Sequence, residues 1–247
     1  MKTTKIEWTE ATWNPSIGCS KVTAGCKNCY AEIMARRLQA MGVAGYEDGF
    51  KFKILPERLY QPASIKKPTK FFVNSMSDLF HEKMPFVFLD RIFEVISNTP
   101  QHHYQILTKR ENILFKYFTN RSVPDNVWLG VTVEHENTKH RIDVLRNIDA
   151  TIRFISMEPL ISDVGELDLN GIHWVIVGGE SGTCARPMQP EWAIHIQRQC
   201  EKQKIAFFFK QWGTWGEDGK RRNKKENGSY LLGKEWKEQP NIPVTGK

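Results

Sequence analysis

Apolar residues along the chain fall into two alternating patterns. Short, nearly continuous apolar runs at Lys70–Asn74, His103–Leu107, Val127–Val133, Thr151–Ile155, Trp174–Val177 and Ile205–Phe209 predict strands buried on both faces. The stretches between them carry apolar residues three and four apart, which predicts helices. One begins at Asn28 and carries Tyr30, Ile33, Met34, Leu38 and Met41. Others cover Phe86–Ser97, with Leu89, Ile92, Phe93 and Ile96, then Glu111–Phe118, then Asn137–Ile148, with Ile142, Leu145 and Ile148. A last one follows Pro190 and turns Trp192, Ile196 and Cys200 inward. A brief alternation at Ile6–Trp8 reads as a further strand at the start. Strand centres roughly 22 to 33 residues apart, each gap filled by a helix or loop, describe serial βα units with right-handed crossovers. The fold class expected is α/β: a partial (β/α) TIM-like barrel of about six to seven βα units, or an open doubly wound sheet.

Residues 43–68, broken by Pro56, Pro62 and Pro68, read as an insertion or cover loop. Patterning stops after Gly216. Residues 1–216 are therefore expected to form the barrel domain, and 217–247 a basic, polar, loosely ordered tail. Composition adds little to this. With 40% hydrophobic and 26% charged residues in 247, the chain is an ordinary globular protein. No apolar run suits a membrane helix, and the start of the chain lacks a hydrophobic signal region, so a cytoplasmic protein is expected. The net charge of +7 suits an anionic partner such as a nucleotide or DNA, although much of the excess sits at Lys220–Lys225.

The cysteines change the picture. Cys19, Cys26 and Cys29 are three of five, spaced C-x6-C-x2-C in a loop rich in Gly and Lys. Three readings are open: an iron–sulfur cluster with three protein ligands and one open iron, a structural zinc with a distant fourth ligand, or small buried cysteines without a ligand role. Five cysteines in an intracellular chain argue against a disulfide framework. The expected strands also end in polar residues: Ser75, Ser77 and Asp78; Thr108, Lys109 and Arg110; Thr132 and Glu134; Ser156 and Glu158; Glu180 and Ser181; Lys210 and Gln211. In barrels and open α/β sheets the carboxyl ends of the strands build the site, so the cysteine loop and this ring are expected to share one mouth. Gly178–Thr183 fits neither G-x-S-x-G nor a P-loop. His135 to His140 misses the H-E-x-x-H spacing by one residue, and His102 is expected to be structural.

Taken together, these features resemble the radical S-adenosylmethionine (SAM) enzymes. More closely, the chain resembles a phage-associated family of radical-SAM-like proteins long catalogued as phage proteins of unknown function. The resemblance rests on Trp13-Asn14-Pro15 through Cys29-Tyr30-Ala31, Asn74–Phe80, Leu107–Arg110, Leu129–Thr132, Ser156–Leu160, Gly178–Gly182 with Ala185–Met188, and Phe208–Gly213. The wider superfamily uses C-x3-C-x2-C, whereas the gap of six is shared with the closer family.

The resemblance implies a [4Fe-4S] cluster on Cys19, Cys26 and Cys29, whose open iron takes the amino and carboxylate groups of SAM. Reduction then cleaves SAM to a radical that abstracts a substrate hydrogen. It implies an electron donor of flavodoxin or ferredoxin type. Tyr30, Ser75, Ser77, Asp78, Lys109, Arg110, Thr132, Glu134, Gly178 and Gly179 become candidates for cofactor binding, with Ser75, Ser77 and Asp78 assigned to the SAM amino group. Thr132 and Glu134 are assigned to ribose, and Lys109 and Arg110 to the SAM carboxylate or a substrate phosphate. Glu158, Glu180 and Lys210 become candidates for substrate handling or proton transfer. The expected substrate is a modified nucleotide or nucleobase in DNA hypermodification, with an isomerase-type rearrangement of an amino-acid adduct on thymine as the specific case. A zinc-stabilised nucleic-acid-binding protein and a SAM-dependent methyltransferase are the alternatives.

Overall fold

The computed structural model describes residue 4 and residues 6–241. Seven strands form the main sheet: β1 (Ala11–Trp13), β2 (Lys70–Val73), β3 (His103–Thr108), β4 (Val127–Thr132), β5 (Ile152–Met157), β6 (Trp174–Gly178) and β7 (Ala206–Gln211). Their order in the sheet is their order in the chain. The pairs β1/β2, β2/β3, β5/β6 and β6/β7 are parallel. Helices α1 (Tyr30–Ala40), α2 (Phe86–Ser97), α3 (Glu111–Phe118), α4 (His140–Arg146) and α5 (Pro190–Gln203) fill the connections. The fold is therefore the α/β, partial (β/α) barrel type that serial βα units dictate.

The chain divides into two compact units. One comprises the residues up to Gly130 with Ile148–Ala150, and the other Val131–Asn147 with Thr151 onward. In the first unit, β1 lies at Ala11–Trp13 and not at Ile6–Trp8. Trp8 is buried but adopts a turn, packing edge-on against Phe72 at 4.7 Å between ring centroids. Its bulk fills core space without joining the ladder. The helix after the cysteines also turns a different face inward from the one its apolar residues suggest. Ala31 and Ala35 are its buried residues, while Tyr30, Ile33, Met34 and Met41 are exposed. The small side chain of Ala35 lets α1 sit close against Ile17, Tyr46 and Leu55. Within residues 43–68, Lys53–Ile54 pairs antiparallel with Ser16–Ile17 beside the cysteine loop, and Tyr46, Leu55 and Leu59 are buried. His102 is fully buried, accepting from Thr69 N–H at Nδ1, with Nε2 3.0 Å from the Ile65 carbonyl, in a structural role.

In the second unit, every residue of β6 is buried, which explains its uninterrupted apolar run. Residues 217–241 are not a loose tail. Asn223 caps a short helix, Lys224–Asn227, and Tyr230–Leu231 pairs with Lys234–Glu235. Trp236 accepts from Phe209 N–H through its carbonyl (2.9 Å) and packs edge-on against Phe207 at 5.9 Å. Leu231 is fully buried. Two apolar anchors thus fasten a polar segment onto β7.

Candidate cluster loop and strand-end ion pairs

The cysteine loop begins where β1 ends. Gly18 has φ +72, and a Cβ there would lie 2.1 Å from the Lys51 carbonyl oxygen, so only glycine lets the chain turn beneath that backbone. The polar end of β2 then secures the loop. Asn74 bonds both the backbone N–H and the hydroxyl of Ser16. Asn14 Oδ1 accepts from Ser75 Oγ (3.2 Å) and Met76 N (3.0 Å). Ser77 Oγ donates to the Gly18 carbonyl at 2.6 Å. The Tyr30 hydroxyl donates to the Ser75 carbonyl, tying α1 to the same strand end.

Cys19, Cys26 and Cys29 are free thiols, each partly exposed. Cys26 closes a 3-10 turn, and Cys29 is the N-cap of α1, where backbone N–H groups favour negative charge. Burial pushes the Cys19 thiol up to about 11, against the lowering effect of Arg110. Among the described residues, no three His, Cys, Asp or Glu side chains are assembled into a metal-holding group. The donor set is nevertheless the soft one that iron–sulfur chemistry uses, on one loop and outside any disulfide, so the residues fit a cluster. Cys200 is buried on α5, and Cys184 is exposed in the loop after β6; both belong to the second unit.

Asp78 sits at the centre of the first unit's polar cluster. Its carboxylate accepts from Phe80 N (3.0 Å), Thr108 Oγ1 (2.7 Å), Lys109 N (3.1 Å) and Arg110 Nη1 (3.0 Å). Three groups absent from the sequence-based set join it. Arg110 Nε donates to Glu82 (3.0 Å), and Ser20 Oγ donates to the same carboxylate at 2.6 Å. His81 receives the Lys83 N–H at Nδ1 (3.1 Å), so its proton lies on Nε2, 3.1 Å from Ser20 Oγ. His81 therefore donates to Ser20 and is not a base for it. Phe52 stacks on the ring at 4.1 Å. Burial opposes ionisation of Glu82, but the Ser20 hydroxyl, backbone N–H and Arg110 bring it down to about 2. The only sequence signal for His81 and Glu82 is their place directly after the polar end of β2.

In the second unit, Glu158 Oε1 and Lys210 Nζ lie 2.6 Å apart, and Ser156 Oγ donates to Glu158 Oε2 at 3.3 Å. Gly178 makes room for this pair: a Cβ there would lie 3.0 Å from Glu158 Oε1. Glu180 is engaged in a two-pronged pair with Arg186, at 2.9 Å to Nε and 2.6 Å to Nη2. That hydrogen bonding raises the Arg186 pKa. Glu134 is fully buried and paired with Arg141 at 3.0 Å, and Arg141 also donates to the Thr132 carbonyl (2.7 Å). Gly179 faces protein backbone, since a Cβ there would come within 1.8 Å of the Trp212 carbonyl oxygen. In the first unit the strand-end residues thus gather around Asp78, and in the second they form separate ion pairs, Glu134–Arg141, Glu158–Lys210 and Glu180–Arg186.

A partial (β/α) barrel with a three-thiol loop after its first strand defines the class. The chain belongs to the family described as "Protein of unknown function (DUF5131)", whose model matches residues 3–240. No curated protein matches it. Among solved structures it is similar to spore photoproduct lyase complexed with dinucleoside spore photoproduct, with TM-score 0.50 and 12% identity over 81% of this chain. The chain spans 63% of the length of that lyase chain. A Cys-to-Ser mutant of the lyase gives TM-score 0.51 and 13% identity, covering 91% of this chain and 71% of the lyase. A double mutant with bound AdoMet and the dinucleoside gives 0.50 and 11%, covering 81% and 63%. At these identities the likeness is one of fold. No described helix is long and apolar enough to cross a membrane.

Proposed function

We propose that this protein is a radical SAM enzyme acting on a nucleotide or nucleobase. The observation that carries the reading is the set of three free thiols on one loop, tied by Asn14, Ser75 and Ser77 to the end of β2. The partial barrel it shares with a lyase whose structure holds AdoMet supports it. Bound at Cys19, Cys26 and Cys29, a [4Fe-4S] cluster supplies the electron for reductive cleavage of SAM. The electron comes from a small donor of flavodoxin or ferredoxin type.

The chain's own residues orient and protect. Asp78 and Ser77 hold the loop and the end of β3 in register, and Tyr30 fixes α1 against β2. The Glu158–Lys210 pair holds the Lys210 ammonium in place as a proton donor to a substrate heteroatom, and transfer of that proton leaves a neutral amine beside the Glu158 carboxylate. The substrate class is argued from the net charge of +7 and from the dinucleoside in the lyase complex. The specific case is rearrangement of an amino-acid adduct on thymine in DNA, which requires the base to leave the stack.

The test is anaerobic reconstitution with iron and sulfide, then reduction by dithionite in the presence of SAM. The reading expects 5′-deoxyadenosine from wild type and none from Cys26→Ala. Equal cleavage by both, or a colourless wild-type protein that holds only zinc, overturns it. Transfer of deuterium from a labelled modified oligonucleotide into 5′-deoxyadenosine tests the substrate class; label found only from a non-nucleotide substrate refutes it.

A further inference from the structure

Arg110 stands out among the strand-end cations because its fork is used up by the protein. It is 7% exposed. Nε donates to Glu82 Oε2 (3.0 Å). Nη1 donates to Asp78 Oδ2 (3.0 Å) and to Cys19 Sγ (3.5 Å). Nη2 donates to the Ser20 carbonyl (3.0 Å) and to Ser20 Oγ (2.8 Å). A guanidinium offers five N–H donors in a fixed plane. Here all three nitrogens point at the cysteine loop and the two carboxylates behind it. To hold a SAM carboxylate or a phosphate, Arg110 would have to release Ser20 or strand Asp78 as a buried, unpaired charge.

We propose that Arg110 is the positioning residue of Cys19: its guanidinium fastens the first turn of the cysteine loop through Ser20 and places a hydrogen bond and a positive charge on the Cys19 sulfur. This deepens the radical SAM reading and, for its electrochemical readout only, rests on it. Two consequences follow from the geometry. Ser20 is the first residue of the six-residue gap between Cys19 and Cys26. Its hydroxyl is also met by His81 and donates to Glu82. The start of the gap is therefore fixed, and the first exposed residues of the loop are Lys21 and Val22, with the Lys21 ammonium 3.1 Å from Glu32. The second consequence is electronic. A donor and a cation beside a ligating sulfur favour the more negative, reduced state of whatever that sulfur binds, and so raise its potential. This gives the longer gap a purpose: the loop reaches from β1 to the end of β3 before returning to α1.

Two experiments test the proposal with full-length Arg110→Gln, Arg110→Lys and Ser20→Ala. The first uses cluster-free protein and trypsin. The expected result is at least a roughly fivefold faster cleavage after Lys21 in Arg110→Gln, a smaller rise in Ser20→Ala, and unchanged cleavage in Lys220–Lys225. Equal cleavage after Lys21 in wild type and in all three variants overturns the clamp, whether or not the protein carries a cluster. The second follows the reduction potential of iron–sulfide-reconstituted protein by redox titration. Arg110→Gln is expected to shift to lower potential, with Arg110→Lys nearer wild type because it keeps the charge. A wild-type potential in fully loaded Arg110→Gln overturns the electronic part. If Arg110→Gln does not fold, Arg110→Lys and Ser20→Ala decide both measurements, because each removes only part of the anchor. A wild-type chain that binds no cluster defeats the proposed function while leaving the trypsin result to judge Arg110.

Discussion

Replacing Asp78 separates a structural carboxylate from a ligand-binding one. Its two oxygens accept four hydrogen bonds, from Phe80 N, Thr108 Oγ1, Lys109 N and Arg110 Nη1, all at 3.1 Å or less. Asp78→Ala removes all four and leaves Arg110 buried without its inner partner. Breaking a buried pair from one side costs about 3–5 kcal/mol, which for a chain of this size lowers Tm by roughly 6–20 °C. Asp78→Asn is expected to recover only part of this. Its amide oxygen can still accept from Phe80 and Thr108, but its amide nitrogen then faces the N–H groups of Lys109 and Arg110, donor against donor. The assay is urea unfolding of the cluster-free protein, with SAM binding to reconstituted protein measured alongside. A loss below about 1 kcal/mol in Asp78→Ala, accompanied by loss of SAM affinity, would refute the structural assignment and return Asp78 to the SAM amino group.

Further outcomes follow from the second unit. Gly179→Ala drives a Cβ to within 1.8 Å of the Trp212 carbonyl and is expected to cost roughly 1–3 kcal/mol or more. Gly178→Ala meets only the Glu158 carboxylate and Lys210 Cβ and should cost less, so similar Tm losses for the two would contradict the close approach. Arg186→Ala leaves the buried Glu180 carboxylate without its two-pronged partner and is expected to cost about 3 kcal/mol. Adding Glu180→Gln should restore at least half of that, and a double variant no more stable than Arg186→Ala in urea refutes the pairing. Burial pushes the Cys200 thiol up to about 12 from the ordinary 9.0. With the folded value raised, its contribution is intact below pH 9 and declines as pH rises towards 12. The unfolded thiol ionises first, making the fold about 1.4 kcal/mol less stable at pH 10 than at pH 8. Parallel urea curves for wild type and Cys200→Ala across that range, in reducing buffer, would count against it.

The parts of the fold legible in the sequence were those with a strong local signature. Strands β2 to β7 are mostly buried and read as nearly continuous apolar runs, with Trp174–Gly178 buried throughout. Leu89, Ile92, Phe93 and Ile96 on α2 are all buried as their spacing predicts. The failures share a cause: apolar character is not burial. β1 is three residues long and contains Thr12, so Ile6–Trp8 outweighed it. On α1 the larger apolar residues outweighed Ala31 and Ala35, although only the alanines are small enough for the close packing there. In residues 217–241 the charges outweighed Leu231 and Trp236, yet two anchors suffice to order a short segment against an existing strand.

The candidate site was legible as a set of residues but not as a set of partnerships. Strand ends are local, so Asp78, Arg110, Glu158 and Lys210 could be selected from position alone. Their partners are remote: Arg110 meets Ser20 across 90 residues of chain, and Lys210 meets Glu158 across the β5–β7 region. No periodicity encodes which of several polar strand ends neutralises another, because that choice is made by sheet register and by the excluded volume of glycines such as Gly178. The distinction has chemical weight. A carboxylate or guanidinium whose hydrogen-bonding capacity is met by the protein is preorganised and cannot also reach for a ligand without leaving a buried charge exposed to its loss. The cations and carboxylates named from the sequence as ligand groups therefore divide by their partners. Asp78, Arg110 and Glu134 are each held by several protein partners or by a buried one, whereas Glu158 and Lys210 form a half-buried ion pair beside Gly178.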